Sequence, residues 1–302
     1  MCILKYLLFC CVICISCSHA SLHQKQLMHA LDFSAANSKE LEKVLKHYEH
    51  DSLKLEAAKF LIRNMPHCYS YQQGGEMDSV KRVRTCYSPF GQIDQTYARR
   101  WGHYTYRNLL KIYDAHIITA EYLIDNIDRA FDNWQKRPWN RSLSFEDFCE
   151  YLLPYRIGDE PLEEWRELYE KKYGYLLDSI YKGSDVVEAA NLVSKHLQEP
   201  VFIYCEDFEL PHIGPRYLFS HRYGSCVDAA DIVTYAFRAV GIPCMEDTDA
   251  RGGHVWNVVR DTTESDVPIW YIASEAVRGS RDTGGYKRGK VYRPMYGFQE
   301  EK

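Results

Sequence analysis

Arg222-Tyr223-Gly224-Ser225-Cys226-Val227-Asp228 opens a segment that closes at Gly241-Ile242-Pro243, and the reading of this segment decides the fold. Ser225 followed three residues later by Asp228 has the form of a capping box, which places Cys226 at the first position of a helix. Ala229, Ala230, Val233, Phe237 and Val240 recur on one helical face, and Gly followed by Pro ends the helix. Downstream, His254-Val255-Trp256-Asn257-Val258-Val259 and Ile269-Trp270-Tyr271-Ile272 have strand character, joined by a polar turn from Asp261 to Asp266. Helix first and antiparallel strands after it is an α+β arrangement.

The upstream two thirds read as mainly helical. Ser38 is placed as a cap before Leu41, Val44, Leu45 and Tyr48, and the pattern continues through Leu55, Ala58, Phe60, Leu61 and Ile62 to a stop at Asn64-Met65-Pro66. A long helical pattern is expected from Leu109 to Trp134, a short helix after Ser144, and another over Glu163 to Tyr173. Val201-Phe202-Ile203-Tyr204 is a β-like apolar run, and Pro211, Gly214 and Pro215 mark a loop.

The chemistry concentrates at Cys226 and His254. Unpaired amides and the positive end of a helix dipole stabilise a thiolate, lowering a thiol pKa from about 8.5 toward neutrality. The same amides face an oxyanion formed on an attacked carbonyl. His254, after Gly252-Gly253, is the partner that takes the thiol proton and returns it to a leaving group. Strand alternation puts His254, Trp256 and Val258 on one face, so an aromatic wall is expected beside the imidazole.

Gly224-Ser225-Cys226, the helix ending Phe237-Arg238-Ala239-Val240-Gly241-Ile242-Pro243, His254-Val255-Trp256-Asn257 and the strand with Trp270 together resemble the transglutaminase-like superfamily. The resemblance covers about the last third of the chain. It implies a papain-like core in which a nucleophile helix packs on an antiparallel sheet, with Cys226 as nucleophile and His254 as base. The acidic member of the family triad usually follows a Trp by a few residues. After Trp270 this chain has Ser274 and Glu275, so Glu275 is assigned as orienter, with Ser274 as a neutral alternative. Cys149-Glu150-Tyr151-Leu152-Leu153-Pro154-Tyr155-Arg156-Ile157-Gly158-Asp159-Glu160-Pro161-Leu162 with Trp165-Arg166, and Lys290-Val291-Tyr292-Arg293, are similar to exported transglutaminase-like proteins of Bacteroidota. Similar proteins often continue past this last segment into further domains, so a shortened chain is one reading. The implied activity is cysteine hydrolysis of an amide or peptide bond through an acyl-thioester, on a peptide, glycopeptide or other amide-linked substrate. The alternative is an inactive fold that binds glycans or peptides at the cell envelope.

Residues 1–20 have the form of a signal peptide, with an apolar run from Ile3 to Ile15 interrupted by Lys5. Ser18-His19-Ala20 suits an ordinary cleavage site, whereas Ile15-Ser16-Cys17 resembles a lipobox. The lipobox reading is favoured, giving an exported lipoprotein of the outer membrane or periplasm whose membrane attachment is a lipid at Cys17. The expected organisation is then a leader over 1–20, a mainly helical region over 21–195 and the transglutaminase-like core over 196–302. Of the later cysteines, Cys68 and Cys86 are the one local pair to name as a disulfide; buried reduced thiols are the alternative.

Composition removes several function classes. The 302 residues carry 37 Lys plus Arg against 42 Asp plus Glu, a formal charge of −5, with no long basic run, so no nucleic-acid footprint is present. The 12 His residues show no His-Glu-x-x-His spacing and no calcium-loop pattern occurs, so no metal or other cofactor is expected. Trp101 and the 24 Tyr residues are the raw material for a sugar-stacking platform, with core packing as the plainer reading.

Overall fold

A computed structural model describes residues 22–75, 77–79, 81, 106–204, 210–250, 253–263, 265–270, 272, 274–279 and 290–299. Residues 1–20, where a leader and a lipid attachment at Cys17 are expected, lie outside the described residues, as do Cys86 and Trp101. The chain divides into two compact units, one formed by residues up to Cys68 with Tyr113–Leu123, the other by Tyr69–Ile112 with everything from Ile124 onward.

In the first unit, helix α1 (22–33) is followed by α2 (Ser38–His47) and α3 (Ser52–Asn64). The cap expected at Ser38 falls one residue earlier. Asn37 holds the N-cap position of α2, but its amide donates to the carbonyls of Ala115 (3.0 Å) and Ile118 (2.9 Å) instead of serving its own helix. Asp51 caps α3 by accepting from the Lys54 amide. Leu41, Val44, Ala58, Leu61 and Ile62 are fully buried here, as their spacing predicts, and so is Ala57.

The helix expected from Leu109 starts later. β1 (Tyr69–Tyr71) and β2 (Lys111–Tyr113) form a two-stranded sheet, a 3-10 turn follows at Asp114–His116, and α4 spans Ala120–Lys136. Thr119 Oγ1 accepts from the Tyr122 amide and Glu40 Oε2 from that of Ala120, so the first turn is satisfied at residues 119–122 and not ten residues upstream.

The second unit contains α5 (Phe145–Tyr151), capped by Ser144 as expected, then α6 (Arg166–Tyr175), continued by a π turn over Leu176–Ile180. α7 (Val186–His196), α8 (Pro215–Ser220) and α9 (Cys226–Ala239) follow. Strands β3 (Ile203–Tyr204) and β4 (Tyr223–Gly224) pair in parallel. β5 (Cys244–Asp249), β6 (Val255–Val259), β7 (Val267–Ile269) and β8 (Val291–Tyr292) form an antiparallel sheet of order β7-β6-β5-β8. The architecture of this unit is mixed helix and sheet, in line with α+β.

Residues on both sides of the boundary expected between 195 and 196 pack together. Tyr169, Tyr173, Val187, Ala190 and Val193, from α6 and α7, share one buried apolar cluster with Ile232, Val233, Phe237 and Val240 of the α9 region and with Val259, Val267 and Ile269 of the sheet. A helix buried as completely as α9 needs apolar cover on all sides, and the upstream helices supply what the sheet alone cannot.

The end of α9 is fixed by its backbone. The Ile242 amide returns to the Phe237 carbonyl and that of Gly241 to Arg238, with Gly241 at φ +82°, which is a Schellman stop. A Cβ at Gly241 would lie 2.7 Å from the Asn133 carbonyl oxygen. Gly241→Ala is therefore expected to cost about 1–3 kcal/mol, through both the left-handed backbone and this collision. Urea unfolding measures it, and an unchanged midpoint would show that the turn accommodates the methyl group.

Candidate functional site

The site begins with the cap of α9. Ser225 Oγ accepts from the Val227 amide (3.3 Å) and Asp228 Oδ2 accepts from the Ser225 amide (2.8 Å), a reciprocal capping box that makes Cys226 the first helical residue. Polar contacts fix the rest of the helix. His212 Nδ1 lies 2.9 Å from both Asp231 oxygens, Thr234 Oγ1 donates to Glu246 Oε1 (2.8 Å), and Arg238 Nε donates to the carbonyls of Tyr151 (3.2 Å) and Cys244 (3.1 Å).

β6 runs alongside this helix. Asn257 is buried and its amide nitrogen donates to the Ala230 carbonyl (3.0 Å) and to Thr234 Oγ1 (2.9 Å), which sets strand against helix one turn from the thiol. His254 stands one residue before the strand and is 4% exposed. Burial holds its imidazole below the ordinary value of 6.5, partly offset by a hydrogen bond to the Trp270 main chain and by the Asp249 carboxylate. The neutral imidazole, which can accept a proton, is thus the favoured form through neutral pH.

The aromatic wall expected from alternation is present. The His254 ring stacks with Trp256 (centroids 6.0 Å apart, 26° between planes) and with Trp270 (6.4 Å, 8°), and the two indoles are 4.6 Å apart. Behind them, Trp256 packs with Tyr151, Met245 and Val258. The Tyr151 hydroxyl donates to Asp266 Oδ2 (3.1 Å) and accepts from Arg293 Nη1 (2.8 Å), and its pKa is pushed up to about 12, chiefly by burial. Arg293 also pairs with Asp247 (2.6 Å) and Asp266, which fastens the region after β8 to β5 and to the turn before β7. The two segments at 149–162 and 290–293 therefore meet beneath the indoles.

Cys226 and His254 line one cleft of about 470 Å³, together with Ala229, Ala230, Asn257, Trp256 and Trp270. Its remaining lining comes from Gln198, Glu199, Val201, Phe202, Tyr204, Val255 and Ile272. Glu275 is exposed and is not among the lining residues; Ser274 is half-buried and is not among them either. In the sequence, Asn257, Val201 and Ile272 are legible only as parts of longer segments, with no role at the site, and Glu199 is not singled out. Position two residues after Trp256's neighbour Val255 on a strand facing α9 was the available signal for Asn257.

Cys68, Cys149, Cys226 and Cys244 are thiols. The buried Cys68 Sγ lies 3.9 Å from the Asn64 carbonyl oxygen. Burial pushes the Cys244 thiol up to about 12, so it stays protonated and unreactive, whereas Cys226 opens to the cleft.

Comparison with protein-family models, with curated proteins and with solved structures returns no match for this chain. Among the described residues no helix is long and apolar enough to cross a membrane.

Proposed function

We propose that the chain is a transglutaminase-like cysteine hydrolase that cleaves an amide or peptide bond. The observation that carries this reading is the shared cleft: a cysteine at the first position of a capped helix and a buried histidine open into one cavity of about 470 Å³. Cys226 Sγ attacks the carbonyl carbon while His254 takes the thiol proton. The C–N bond breaks as His254 gives that proton to the departing amine, leaving a thioester. Water, deprotonated by His254, adds to the thioester and releases a carboxylic acid and the Cys226 thiol. Helix amides at the start of α9 stabilise the oxyanion. The main-chain hydrogen bond at Trp270 holds the imidazole, a role the family gives to a carboxylate. Export as a lipoprotein anchored at Cys17 belongs to the same proposal and rests on residues 1–20.

The pH dependence of iodoacetamide alkylation at Cys226 tests the pair. In the wild type the midpoint is expected below the ordinary thiol value of about 8.5, and His254→Ala should raise it. Glu275→Gln should leave it in place. Equal, ordinary midpoints in wild type and His254→Ala would favour the second reading, a non-catalytic glycan- or peptide-binding module. The position of Glu275 outside the cleft is the observation on that side.

A further inference from the structure

The cleft contains more than the Cys-His pair requires. Ala229 and Ala230 stand three and four residues after Cys226, so the helix face that presents the thiol continues as two methyl groups. Small side chains there leave room beside the sulfur. Phe202, Trp256, Trp270 and Ile272 give this room apolar walls. Two further lining residues, Val201 and Tyr204, are 75% and 48% exposed, so apolar surface stands open to water at the mouth. Contiguous apolar surface in a concave site is where a ligand's apolar group gains most from burial. Glu199 is the only carboxylate among the described lining residues, and no Lys or Arg is among them.

Resting on the hydrolase reading of this same cleft, we propose that it selects acyl donors whose attacked carbonyl belongs to a residue with a large apolar or aromatic side chain. That side chain seats over Ala229 and Ala230 against Trp256, Trp270 and Ile272. Acidic donors are disfavoured, because a carboxylate there would lose water and meet Glu199 without gaining a cationic partner.

Peptidyl chloromethyl ketones test the subsite without requiring turnover. Sγ displaces chloride, a C–S bond replaces the C–Cl bond, and intact-mass spectrometry reads the rate. Probes ending in Phe, Leu, Gly or Glu are compared on the full chain, each rate divided by the same protein's iodoacetamide rate. Phe and Leu are expected to label at least tenfold faster than Gly or Glu, in keeping with roughly 10- to 200-fold discrimination by apolar pockets. Ala229→Leu fills the room beside the sulfur and should remove most of that preference. Ile272→Ser, at a partly exposed position, should weaken it and serves if Ala229→Leu melts early.

A flat normalised series in the wild type, or a preference that persists in both variants, overturns the proposal. Failure of the hydrolase reading shows separately, as an iodoacetamide rate with an ordinary midpoint that His254→Ala does not move.

Discussion

Cys226→Ala is expected to abolish amide hydrolysis and labelling in the cleft, with residual rates at background. The loss is complete because no other described cysteine lines the cleft, and Cys244, whose Sγ lies 3.8 Å from Asn257 Nδ2, is kept protonated by burial. Cys226→Ser would retain geometry but lose the polarisable nucleophile, and should fall to the same background. His254→Ala is expected to lower turnover by about 10²- to 10⁴-fold, the usual contribution of a positioned base. The pH profile follows from the imidazole. Its folded pKa lies below 6.5, so its neutral form persists to lower pH than in an unfolded chain, and the acid limb of activity should fall below 6.5. The same shift makes His254 a source of stability that is present above the unfolded value and lost as pH falls through the folded one. Peptide-amide hydrolysis between pH 4 and 9 measures the limb. Full turnover by Cys226→Ala would end the mechanism.

The largest expected loss of stability belongs to Arg166. Its guanidinium is buried and donates from Nη2 to the carbonyls of Leu152 (2.6 Å), Leu153 (3.0 Å) and Pro154 (3.1 Å), from Nη1 to Arg238 (3.2 Å), and from Nε to Asn126 Oδ1 (2.5 Å). Three of those carbonyls follow the end of α5 and one lies near the end of α9, where helices leave acceptors without partners. The planar fork of arginine reaches them all, and lysine, a point charge with three donors, does not. Arg166→Met should destabilise by about 3–5 kcal/mol, because it leaves several buried acceptors without a donor at about 1–3 kcal/mol each. At roughly 2–4 °C per kcal/mol for a unit of this size, the melting temperature should fall by at least 6 °C. Arg166→Lys should recover only part of this. A melting point within 2 °C of wild type for Arg166→Met would show that water replaces the guanidinium.

The helix carrying Cys226 was legible because its signals are local. Ser225, Asp228 and Gly241 specify its ends, and apolar periodicity specifies its face. His254 was legible from strand alternation in β6, which also gave the aromatic stack. β5 was not read as a strand. Cys244-Met245-Glu246-Asp247-Thr248-Asp249 is too acidic to pass for a buried central strand until its partners are known. Glu246 meets Thr234 from α9, and Asp247 meets Arg293 from 46 residues downstream. Neither pairing has a local signature. The expected strand at Ile269-Trp270-Tyr271-Ile272 is instead Val267–Ile269. The packing of α6 and α7 against α9 was illegible for a related reason. Periodicity shows that α6 and α7 have apolar faces and leaves unstated which element each face covers.

The hydrogen bond between the His254 ring and the Trp270 main chain has an evolutionary consequence. A carboxylate orienter is one codon, and any of many base changes deletes it. A peptide carbonyl is present whatever side chain position 270 carries, so sequence drift there alters the stacking wall but spares the acceptor. Substitution of acidic residues near position 270 can therefore leave the imidazole's orientation in place.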